Sequence, residues 1–160
     1  VALDQEWGLD HGTWSVLYHA YPEADVPVVQ LSIDRTQPGR FHYELGRRLA
    51  ALRDEGVLIA GSGNVVHNLA LRSRDGNAPA FEWAERFNNR VRELVARREH
   101  GPLIDWASMG KDAKLAIPTA EHYLPLLYCL GLQRDDESSR FAVDGLELGS
   151  LGMLTAVIGG

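Results

Sequence analysis

The chain alternates between short apolar runs and segments whose apolar residues recur at helical spacing. Val26 to Ile33 (VPVVQLSI) is short and rich in β-branched residues. It predicts a mostly buried strand, with Pro27 near its start where a ladder donor can be spared. Pro38-Gly39 marks a turn. From Phe41 the apolar positions Phe41, Leu45, Leu49 and Leu52 follow a helical period, and Gly56 stands where helices commonly stop. Val57 to Ala60 (VLIA) then reads as a strand buried on both faces. Together these predict β-α-β, the unit of a parallel sheet with a right-handed crossover.

Further along, the polar stretch Arg72 to Pro79 predicts a loop. Ala84, Phe87, Val91, Leu94 and Val95 define an amphipathic helix with a charged outer face. Trp106 to Ala116 has no clear period and reads as a loop. A second apolar helix ends at Gly131. Pro125 is tolerated only in its first turn, so it starts near Glu121 or His122. Arg140 to Val143 and Met153 to Ile158 are short strand candidates with a hairpin-like arrangement. The predicted fold class is α/β, a mixed, largely parallel β-sheet flanked by helices.

Composition narrows the function. With 160 residues, the chain has the length of one domain, residues 1–160, and can bury roughly 70% of its unfolded surface. A net charge of −6 argues against nucleic-acid and anionic-membrane partners, which reward Lys and Arg. The single Cys129 excludes an internal disulfide and a cysteine-rich zinc module. No apolar run approaches the ~20 residues of a membrane span. With no leader pattern either, the cytoplasm is the default expectation.

The histidines carry the candidate chemistry. His11 lies in Gly-Leu-Asp-His-Gly-Thr-Trp, His67 in Gly-Ser-Gly-Asn-Val-Val-His-Asn, and His122 in Pro-Thr-Ala-Glu-His-Tyr. They are far apart in the chain, so any shared site is assembled by the fold. Imidazoles converging on one cleft suit a metal or a proton transfer; otherwise each is a hydrogen-bonded loop histidine. Gly61-Ser62-Gly63 either cradles an anion at a strand end or makes a tight turn needing positive φ, the preferred reading. Asp10 either orients His11 or serves a turn. Trp7 and Trp14 wall a substrate or, more commonly for such pairs, belong to the core. Glu121 is a carboxylate ligand or a helix-start residue. Cys129 reads as a small core residue.

At these motifs the sequence resembles a known family. W-G-L-D-H-G-T-W (Trp7 to Trp14), V-P-V-V-Q-L-S-I, G-S-G-N-V-V-H-N-L (Gly61 to Leu69), P-T-A-E-H-Y-L-P-L-L-Y (Pro118 to Tyr128) and G-L-E-L-G-S-L-G-M-L (Gly145 to Leu154) are similar to the 4,5-DOPA extradiol dioxygenases. That family is a branch of the class III extradiol ring-cleaving dioxygenases. The resemblance implies a non-haem Fe(II) enzyme, often isolated with Zn(II), that opens a catechol such as DOPA with O₂. It implies His122 as a metal ligand and His67 at the same metal, as ligand or as acid/base. It implies His11 as a nearby histidine that binds substrate or donates a proton.

The family's first two metal ligands are histidines of an N-terminal third with no match here. The resemblance therefore covers the C-terminal two-thirds. It implies that the chain lacks the third that completes the sheet and the ligand set, and that a missing segment or a homo-oligomer covers the exposed strands. Two other readings stand beside it: a non-catalytic α/β binding domain with an incomplete metal site, and a zinc hydrolase using metal-bound water, with Glu121 as its one carboxylate at hand.

Overall fold

A computed structural model describes residues 2–159. The chain divides into two compact units, Val1–Ile33 and Asp34–Gly160. The first carries one helix, α1 (His11–Ala20). Asp10 caps it: the Thr13 N–H donates to Asp10 Oδ1 at 2.8 Å, satisfying one of the donors a helix start leaves open. Gln30 fixes that cap from the other side, accepting from the Asp10 N–H at 2.9 Å. The turn role expected of Asp10 thus takes the form of a helix cap. Trp7 and Trp14 are both exposed, so neither belongs to a core in this unit.

The second unit is mainly helical. Its elements are α2 (Gly39–Leu49), α3 (Glu82–Ala96), α4 (His100–Ile104), α5 (Lys111–Ala116) and α6 (Leu124–Gly131). They are followed by β1 (Ser139–Val143), β2 (Leu146–Glu147), β3 (Leu151–Gly152) and β4 (Thr155–Ile158). A 3-10 segment, Ala50–Glu55, extends α2 to Gly56, whose φ of 83° ends it in the left-handed region. The core lies where α2 and α3 meet α4, α5 and α6. It is built from Val91, Leu94, Leu103, Leu124, Leu127 and Leu130, all essentially buried.

The helix pair α2–α6 packs through glycines. A Cβ at Gly46 would stand 2.4 Å from the Tyr128 carbonyl oxygen, and one at Gly131 would stand 2.3 Å from that of Tyr43. Close backbone approach therefore orients α2, which buries His42 and Gly46 and leaves Phe41 exposed. The apolar stripe expected from Phe41 and Leu45 does not set the buried face.

The parallel sheet expected from sequence is absent among the described residues. β1 pairs antiparallel with β4, and β2 with β3 nested between them. Val26 to Ile33 and Val57 to Ala60 belong to no strand. An extended run becomes a strand only when a second one takes its hydrogen bonds. Here Val29 is 90% exposed and Leu58 75% exposed. The hairpin-like reading of the last strands is correct for β1 and β4, although β4 begins two residues later than expected. The segment read as the loop Trp106 to Ala116 contains a 3-10 turn, Trp106–Met109, and α5. Six residues are too few to show a period; Ala113 and Ala116, one turn apart, bury α5 against α3.

Candidate functional site

The site is built around a short extended segment, residues 61–68. Its backbone is held on two sides. The Gly152 N–H donates to Val66 O at 2.8 Å, and the Asn68 N–H to Ser150 O at 3.2 Å, tying it to β3. The His67 N–H donates to Ala116 O at 2.8 Å, tying it to the end of α5. Asn68 spans both neighbours. Its side-chain amide donates to Leu115 O at 2.8 Å, and its backbone carbonyl accepts from the buried Ser150 hydroxyl at 2.8 Å. Val65, Val66 and Asn68 are buried, and His67 between them is half-buried.

His122 comes from the turn before α6. That helix starts at Leu124, two residues beyond His122, with Pro125 in its first turn. The Tyr123 and Leu124 N–H groups both bond Ala120 O at 2.9 Å, so residues 120–124 curl before the helix proper. The helix start expected at Glu121 or His122 is this turn.

The fold brings His67 and His122 together. Their rings stack with centroids 3.6 Å apart and planes inclined by 20°. Burial lowers the His67 pKa below the ordinary imidazole value, the neighbouring His122 lowers it further, and Glu121 pulls the other way. His67 is therefore neutral near pH 7, the form that accepts a proton or ligates a metal. Burial alone would raise the Glu121 carboxyl. Its own backbone N–H, the Thr119 hydroxyl at 2.8 Å and His122 reverse this and hold it below the usual range. Glu121 is an ionised neighbour of the pair, engaged by Thr119.

In donor type, two adjacent imidazoles suit Zn, Fe, Cu or Ni. In number they fall short: among the described residues no group of three His, Cys, Asp or Glu side chains is placed to hold an ion. Nor do they converge as they stand. Nearly parallel ring planes do not meet within a Zn–N bond of about 2.0–2.1 Å, so a shared ion requires one ring to turn. His11 lies in the other unit, exposed, as the first residue of α1.

Two further histidines have other tasks. His42 is fully buried, its Nδ1 3.0 Å from the Tyr128 hydroxyl. His100 joins Tyr43 at 3.0 Å and Gln133 at 2.9 Å. Charged neighbours Arg40 and Glu44 mask His42 in the sequence; its signal is the one-turn spacing from Gly46, which places both on one face.

Two glycines near the pair also differ from expectation. Neither Gly61 nor Gly63 has positive φ. They are spaced by two in extended backbone and so face the same way. A Cβ at Gly61 would stand 2.7 Å from Pro125 O, and one at Gly63 would stand 2.2 Å from His122 O. Close approach to α6 at Gly61, and to the turn before it at Gly63, requires glycine at both.

Residues 1–157 match the family model described as the catalytic LigB subunit of aromatic ring-opening dioxygenase. A 4,5-DOPA dioxygenase extradiol of Escherichia coli K12 is 47% identical over 99% of this chain and 60% of its own length. One from Beta vulgaris is 41% identical over 82% of this chain and 48% of its own. A crystal structure of an uncharacterized protein from Escherichia coli K12 superposes with a TM-score of 0.91 at 47% identity, over 99% of this chain and 66% of that one. The chain thus spans about half to two-thirds of the length of these relatives. It belongs to the LigB family of aromatic ring-opening dioxygenases.

Proposed function

We propose that this chain is the C-terminal portion of a class III extradiol dioxygenase catalytic domain, and that the protein cleaves the ring of a catechol such as DOPA with O₂. The observation that carries this reading is the His67–His122 pair. Two distant words, each resembling the family's, fold into ring contact at 3.6 Å. The names of the relatives, 4,5-DOPA dioxygenase extradiol, supply the substrate class.

His67 and His122 would supply two imidazoles to Fe(II), or to Zn(II) in isolated protein. When bound, Fe(II) gives a catecholate and O₂ a common meeting point. The protein's own part is to hold and move protons. As acid/base, the alternative to ligation, a neutral His67 would accept one from a catechol hydroxyl, and Glu121 would steady the imidazolium that results. His11 is assigned substrate binding or proton donation.

The test uses the product of the complete reading frame containing these residues, loaded anaerobically with Fe(II). DOPA and air should then give a yellow ring-fission product with stoichiometric O₂ uptake. His67→Ala and His122→Ala should each abolish it. No product from protein whose iron content has been verified would overturn the proposal.

A further inference from the structure

We propose that Gly63 and Asn64 are positioning residues, a clasp that docks the His67 segment onto the His122 turn and so sets the two imidazoles face to face. The proposal rests on the reading of this pair as the reactive centre, but its test does not depend on ring cleavage.

The Asn64 N–H donates to His122 O at 2.8 Å. That is the same oxygen a Cβ at Gly63 would meet at 2.2 Å. Backbone thus touches backbone at the very residue that carries one imidazole, three positions before the residue that carries the other. Pro125 lines the same contact, its Cγ 3.2 Å from the built Cβ. The Asn64 side chain adds a third segment, its Nδ2 donating to Gly152 O at 2.7 Å. Gly152 in turn donates to Val66 O, one residue from His67. Asn64 therefore joins the His67 segment, the His122 turn and β3 through two backbone oxygens.

Stacking at 3.6 Å is sensitive to such a clasp. A methyl at position 63 must move the His122 carbonyl or its own segment, because two backbones cannot interpenetrate. Dispersion and ring alignment fall off steeply over that displacement. Loss of the Asn64 amide leaves one backbone bond and a freed Gly152 carbonyl, so the segment keeps its place less firmly.

Histidine-labelled NMR of the 160-residue chain tests this. Stacked rings shift each other's carbon-bound protons upfield. In wild type the His67 and His122 signals should show that displacement. It should shrink in Asn64→Ala, disappear in Gly63→Ala, and recover in part in Asn64→Gln, which restores an amide donor. His42 and His100, held by α2 and α4, should not move. Should Gly63→Ala fail to fold, the two Asn64 variants decide. Unchanged paired shifts in Asn64→Ala, or equal shifts at all buried histidines, would overturn the clasp. A protein that shows the clasp yet cleaves no catechol would separate this inference from the proposed function.

Discussion

Arg53 and Glu137 form a part-buried, two-pronged ion pair in the second unit. Arg53 donates to both Glu137 oxygens, at 2.9 and 2.5 Å, and to Leu132 O at 2.7 Å. Their side chains are 22% and 14% exposed. The Arg53 guanidinium holds the Glu137 carboxyl down at about 2, from an ordinary 4.5. A depressed carboxyl stabilises the fold above its unfolded pKa, and that stability is lost as pH falls from 4.5 through about 2. Glu137→Gln should therefore lower stability at pH 7 by on the order of 1–3 kcal/mol, and the difference from wild type should narrow in urea melts toward pH 2. His42 runs the opposite way in charge but the same way in pH. Burial lowers its pKa, with the Asp34 carboxylate opposing, and its Nε2 has no hydrogen-bond partner among the described residues. Its stability is complete above the unfolded value near 6.5 and declines as pH falls below it. Tyr128→Phe, which removes the partner of Nδ1, should cost about 1–2 kcal/mol at pH 7, read from the same melts.

At the scale of elements, packing between α2 and α6 rests on glycine more than on apolar side chains. Gly46→Ala drives a methyl into the Tyr128 carbonyl and has no flexible side chain to displace. It should destabilise by at least about 2 kcal/mol. Gly56→Ala meets nothing within 4 Å and costs only the left-handed backbone, about 1 kcal/mol. Thermal melts of the two variants should rank in that order. The same contrast explains what could be read from sequence. Helix α3 was legible because Ala84, Phe87, Val91, Leu94 and Val95 are both periodic and buried. The existence of α2 was legible, but not its facing, because glycine contributes nothing to an apolar pattern. The words around His67 and His122 were legible as candidates. Their stacking was not, since it depends on two backbones meeting at Gly63. Val26 to Ile33 and Val57 to Ala60 have strand composition, but composition does not supply the partner that makes a strand.

At the scale of the whole molecule, the number of ligands decides what the chain does with a metal. Catalytic zinc sites keep three protein ligands, and affinity falls as ligands are removed. The described residues bring two imidazoles together with no third ligating group placed to share an ion with them. The chain also spans only 60% of the Escherichia coli relative and 48% of the Beta vulgaris one. These 160 residues should therefore bind Zn(II) weakly, and Fe(II)-loaded samples should consume little or no O₂ with DOPA. A polypeptide of the relatives' length should bind tightly and turn over. Chelator competition measures the first difference, and an oxygen electrode measures the second. The direction of the His67→Ala effect then separates the possible causes. If two imidazoles form part of a larger ligand set, the variant loses affinity steeply in the longer polypeptide and little in the short chain, where there is little to lose. If the pair suffices, both lose alike, and turnover by the 160 residues at the longer polypeptide's rate would show that no further ligand is required.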